Sequence, residues 1–107
     1  MFKIVSNVDK NTIYIQGDLV FSCVNEAEKS GFQTLTKCFN ANITHINIDL
    51  SEVKAVDSSL MAVLLSWIKF ASSKGAQLKF IAIPKAVESL IQLNNLNNIF
   101  HNYTQEV

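Results

Sequence analysis

Asp57-Ser58-Ser59 is the stretch of this 107-residue chain with the most chemistry in it. An acid followed by two hydroxyls suits the start of a helix, where side-chain oxygens accept bonds from backbone N–H groups that have no partner inside the helix. A hydroxyl at a helix N-terminus is also placed to carry a phosphate, because the macrodipole favours negative charge there. Capping is open to both Asp57 and Ser58, and the phosphate role to the Ser58 hydroxyl. The other reactive side chains are scattered. Cys23 and Cys38 lack CxxC spacing and read as reduced, buried thiols rather than a disulfide or a metal site. His45 falls on the polar side of an alternating segment and His101 lies near the C-terminus. Neither has a carboxylate or Cys at ligand spacing, so no metal is expected. Gly17, Gly31 and Gly75 are isolated and form no phosphate-cradling loop. Asp57, Ser58 and a His can be drawn as a hydrolytic triad on paper, but no nucleophile elbow accompanies them. The expectation is a protein that is not an enzyme and needs no cofactor.

Those residues have to be positioned by regular elements. Ile46, Ile48 and Leu50 alternate with His45, Asn47 and Asp49, which predicts a strand over Thr44–Ser51 with one side buried. Gln77–Ile83 predicts another strand, with Leu78, Phe80 and Ala82 on one face and Ile81 and Ile83 on the other. Apolar residues on both faces suggest a place inside the sheet. Between them a helix is expected from about Ser58 to Lys74, closed by Gly75. Leu60, Val63, Leu64, Trp67, Ile68 and Ala71 share one of its faces, and Ser59, Ala62, Ser66, Lys69 and Ser73 make the wetter one. Met61 and Leu65 sit on a flank. They either widen the core stripe or form an exposed apolar ridge for a partner.

Upstream, Phe2–Val8 and Thr12–Gln16 read as a hairpin around the turn formers Asp9-Lys10-Asn11, with Gly17-Asp18 closing the second strand. Leu19–Asn40 reads as a helix capped by Ser22, interrupted or kinked near Gly31, and resumed by Phe32, Leu35, Thr36 and Phe39. Pro84 suits the first turn of a last helix carrying Val87, Leu90 and Ile91, which Asn94-Asn95 can end in the left-handed region. Leu96, Ile99 and Phe100 are expected to pack once more, and residues 101–107 to form a loose tail. The order β-β-α-β-α-β-α describes one α/β domain over residues 1–107, with helices covering one side of a mixed sheet.

Nine basic and nine acidic side chains cancel, which argues against nucleic acid as a partner. The longest apolar run, Leu60–Leu65, is far short of a membrane span. The first residues lack the pattern of a secretion signal, so a cytoplasmic location is expected.

In Ile48-Asp49-Leu50-Ser51, Val56-Asp57-Ser58-Ser59, the Leu60–Leu65 helix and Lys74-Gly75, the chain resembles a STAS domain over nearly its whole length. The STAS family comprises anti-sigma-factor antagonists and transporter-associated modules. The resemblance implies a mixed four- to five-stranded sheet with helices packed on one side. Within the family, Gly17-Asp18-Leu19-Val20-Phe21 with Val24, Leu64-Leu65-Ser66-Trp67 and Ile83-Pro84 are similar to the STAS subunit (MlaB type) of Mla-type phospholipid ABC transporters.

That likeness implies a non-enzymatic subunit that binds and stabilises or regulates the ATPase of a phospholipid-transporting ABC system, which maintains lipid asymmetry. Such a subunit is cytoplasmic, peripheral to the inner membrane through its complex and not itself inserted. The candidate partner-binding or phospho-switch site is Asp57, Ser58, Ser59, Leu60, Met61 and Leu65, and the likeness places Ser58 at the position partners recognise. In the antagonists that residue is phosphorylated by an anti-sigma factor serine kinase, so the alternative is a switch operated by phosphorylation of Ser58. A STAS module of some other complex is a third reading. The family usually has Gly one or two residues after the Ser; here Leu60-Met61 follow Ser59. The expectation is that bulky Leu60 beside Ser58 hinders a kinase and favours the transporter reading.

Overall fold

Alternating β-branched and aromatic residues at the N-terminus pair as a hairpin. In the computed structural model, which describes residues 2–96, 100 and 103, β1 (Phe2–Asn7) and β2 (Thr12–Leu19) run antiparallel, with Ile4 opposite Ile15 and Val5 opposite Tyr14. A 3-10 turn at Val8–Lys10 joins them, and Asn11 takes the left-handed conformation that an asparagine tolerates. Next come α1 (Val24–Asn40), β3 (His45–Val56), α2 (Ser59–Ser73), β4 (Gln77–Ile81) and α3 (Lys85–Leu93). β3 lies parallel to β2, and β4 parallel to β3, which gives one four-stranded mixed sheet in the order β1-β2-β3-β4.

Period-two burial dictates where the helices go. Ile13, Ile15, Ile46, Ile48, Leu50, Leu78 and Phe80 are buried on one face of the sheet, while Tyr14, Gln16, Asn47, Asp49 and Lys79 on the other are half-buried or exposed. The helices therefore cover the apolar face. α2 supplies Leu60, Val63, Leu64, Trp67, Ile68 and Ala71 to the core, the face its spacing predicts, and Phe80 meets Phe100 with ring centroids 5.9 Å apart.

Several expectations change. The first long helix is unbroken: α1 runs straight through Gly31, whose missing side chain makes room for the Trp67 ring rather than a kink. Ser22 does not cap it; Phe21–Cys23 form a 3-10 turn and α1 starts at Val24 without a side-chain cap. β2 continues past Gln16 to Leu19, and β3 past Ser51 to Val56. Their pairing shifts register between Tyr14 and Gln16 and between Gly17 and Leu19, so Ser51 and Glu52 are both exposed and the alternation breaks although the strand does not. β4 lies at an edge rather than inside the sheet. It stops at Ile81, and Ala82 at φ 51° turns the chain so that half-buried Ile83 packs on the core from beyond the strand. The end of α3 is as expected, with Asn95 at φ 56°. Phe100 is buried, whereas Ile99 and, apart from half-buried Tyr103, the expected tail lie outside the described residues.

Candidate functional site

Parallel β2 and β3 end side by side, Leu19 opposite Val56, so the segments that leave them emerge at the same end of the sheet. In parallel sheets this carboxyl end is where sites assemble. From β2 comes the 3-10 turn Phe21–Cys23, and from β3 the turn Asp57-Ser58 that enters α2. The two are tied together. The Asp57 N–H donates to the Leu19 carbonyl (3.4 Å), and the Asp18 carboxylate accepts the Ala55 N–H (3.3 Å).

Asp57 makes the decisive contacts. Its Oδ1 accepts the Ser59 N–H at 2.9 Å, capping α2, and its Oδ2 accepts the Phe21 N–H at 3.0 Å from the neighbouring strand's exit. The Phe21 and Ser59 amides, in that order, hold the Asp57 carboxyl below its ordinary pKa of 3.8. Ser58 is exposed and its hydroxyl makes no capping bond. Of the two expected caps, Asp57 fills the role and Ser58 is left facing solvent. Beside them Phe21 is 80% exposed, an uncommon condition for an aromatic side chain.

The remaining candidates are less exposed. Leu60 is completely buried and Met61 is 4% exposed, both inside the core. The exposed apolar ridge is therefore corrected for Met61: the helix is gripped on two sides, by the sheet and by α1, and its apolar stripe is correspondingly wide. Leu65 is half-buried against the same core, and Ser59 is half-buried behind the Asp57 carboxylate. Because Leu60 points inward, it places no bulk beside Ser58, and the steric objection to a kinase falls away.

A family model described as "Mlab, STAS domain" matches residues 13–101. The chain belongs to the MlaB-type STAS family. Solved structures agree with this STAS fold. SpoIIAA, an anti-sigma factor antagonist, in its unphosphorylated form superposes with a TM-score of 0.64 at 15% identity, over 100% of this chain and 89% of that one. A candidate anti-sigma factor antagonist from Thermotoga maritima gives 0.68 at 22% identity, over 100% and 86%. The Bacillus cell fate determinant SpoIIAA in its phosphorylated form gives 0.64 at 16%, over 100% and 91%. At these identities the likeness is one of fold. A search of curated proteins gives no match.

Elsewhere in this STAS domain, Cys38 is a buried free thiol whose pKa is raised by burial, and Cys23 is free but only half-buried. His45 is exposed on β3, and His101 lies outside the described residues. Among the described residues no group of three metal-ligating side chains occurs and no helix is long and apolar enough to cross a membrane. An open cleft of about 770 Å³ runs across β1, β2 and β3, with Lys3, Asp18, Glu52 and Lys54 in its lining.

Phe21 is the site residue that sequence reasoning missed. It entered only as part of the family likeness, although it fits neither the strand alternation ending at Leu19 nor the stripe of α1, and an aromatic outside both patterns is itself a signal.

Proposed function

We propose that this chain is the STAS subunit of a phospholipid-transporting ABC system, and that it binds and stabilises or regulates the cytoplasmic ATPase without chemistry of its own. The observation that carries this reading is the family match, which is to the MlaB type of STAS domain over residues 13–101. Support comes from the exposed Phe21 beside the Asp57-Ser58 turn, an aromatic of the kind that anchors protein interfaces. The contact surface in this reading is Phe21, Ser58 and the start of α2, with the buried Leu60 and Met61 supporting it from beneath.

A second reading has its own observation. Ser58 is exposed, uncapped and at a helix N-terminus, which suits phosphorylation by an anti-sigma factor serine kinase. In that reading the chain is an antagonist that releases its partner when phosphate adds charge and bulk at Ser58.

One experiment separates the two. The tagged chain is purified from its native host, with mass spectrometry of the bound proteins and of Ser58. Recovery of an ABC ATPase and its permease with unmodified Ser58 supports the transporter reading. Recovery of a serine kinase with phosphate on Ser58 overturns it in favour of the switch.

A further inference from the structure

Phe21 is both highly exposed and held in place, and the holding group belongs to another element. Its N–H is the first donor of the Phe21–Cys23 turn, which has no side-chain cap from the preceding Val20. The missing acceptor is Asp57 Oδ2, 36 residues further along the chain. Capping α2 requires only one oxygen, and Oδ1 already serves the Ser59 N–H. Oδ2 is surplus to the helix and is spent on Phe21. A neutral Asn or Ser would cap α2 about as well but would present no second acceptor in that direction.

We infer that Asp57 is a positioning residue: it does not itself grip the partner but fixes the turn that presents Phe21, so that Phe21 and Ser58 form one surface. This rests on the proposed docking of the ATPase for its functional half, while the clasp itself is a property of the isolated chain. The strand exits are tied independently of Asp57 Oδ2, by the Asp57 N–H to the Leu19 carbonyl and by the Ala55 N–H to the Asp18 carboxylate, and the turn itself is closed by the Cys23 N–H to the Val20 carbonyl. Loss of Oδ2 therefore removes the bond that holds the Phe21 N–H without loosening the strands.

The test uses Asp57→Asn and Asp57→Ser in the full chain. In the isolated protein, amide exchange by NMR should quicken at Phe21 by roughly fivefold, the ratio that one hydrogen bond of ordinary net strength supports, with Ser59 little changed. Unchanged exchange at Phe21 in both variants overturns the clasp. Affinity is then measured for the purified ABC ATPase recovered with the chain. Both variants should bind more weakly than wild type, and adding Phe21→Ala to either should cost less than it does in the wild-type background. Additive losses, or full affinity in the Asp57 variants while Phe21→Ala alone weakens binding, overturn the positioning role and leave the docking reading standing. If Phe21→Ala and both Asp57 variants all bind like wild type, the docking surface fails and the positioning role fails with it. If no ATPase is recovered, the functional half falls and the exchange data still decide the clasp.

Discussion

Gly31 on α1 lies against the indole of Trp67 on α2, so close that a Cβ built at residue 31 would come within 2.6 Å of Trp67 Cζ2 and overlap the ring further in. Trp67 is 1% exposed and cannot swing away. The spacing of the two helices is thus set by the absence of one side chain opposite the presence of the largest. Glu28 accepts the Ser66 hydroxyl at 2.8 Å, one turn of α1 away, and fixes the same helix pair along its length.

Gly31→Ala should therefore destabilise the domain, although alanine is the better helix former. The gain in helix propensity is about 1 kcal/mol, whereas forcing atoms into a filled core costs about 1–3 kcal/mol and more when the neighbour is a rigid ring. Urea unfolding measures the sum. Combining Gly31→Ala with Trp67→Leu should recover part of the loss, since the clash then has no ring to meet. Additive effects of the two changes would contradict the contact.

Met61 and Leu65 should separate sharply. Met61→Glu puts an unpaired carboxylate at a 4% exposed position and should abolish cooperative folding, as circular dichroism and urea titration would report. Leu65→Glu, at a half-buried position, should remain folded with a smaller loss. An intact fold in Met61→Glu would return that side chain to the surface.

Phe21→Ser should alter stability by no more than about 0.5 kcal/mol, since the ring is 80% exposed. Binding to the ATPase should weaken by roughly tenfold or more if the ring is a central anchor. Calorimetric titration of the purified pair decides this, with the melting temperature of the free variant as control.

Acid should reveal the Asp57 clasp. Hydrogen bonds from Phe21 and Ser59 lower the folded-state pKa of this carboxyl below 3.8, so its stabilising effect is present above that value and disappears as pH falls through the depressed folded pKa. The melting temperature of wild type should exceed that of Asp57→Asn at neutral pH, and the gap should close below about pH 4. A gap that persists in strong acid would mean that the ionised carboxylate is not the stabilising species.

The element order and the buried face of α2 were legible because long periodic segments bury what their spacing says. Ile46, Ile48, Leu50, Leu60, Val63 and Trp67 all lie where the pattern puts them. The Asp57 cap was legible too, from residue type alone. What escaped was set by distant chain. Gly31 looks like a helix breaker until Trp67 is known to sit on it. β3 looks finished at Ser51 because its register against β2 shifts there. Phe21 gives no local sign that a carboxylate 36 residues away will hold it. Met61 misled because a helix flank says nothing of which neighbour covers it.

The strand order carries a consequence for how the chain comes together. The β1–β2 hairpin needs only a short turn and can close as soon as Leu19 has left the ribosome, whereas the parallel partner of β2 arrives only after all of α1. Until β3 is synthesised, β2 has one edge paired with β1 and one bare edge of backbone N–H and C=O groups, beside an uncovered face that carries Ile13 and Ile15, the arrangement that invites a foreign strand. The most exposed interval in the life of this domain therefore falls during its own translation, while the strand destined for the middle of the sheet is still waiting for its second neighbour.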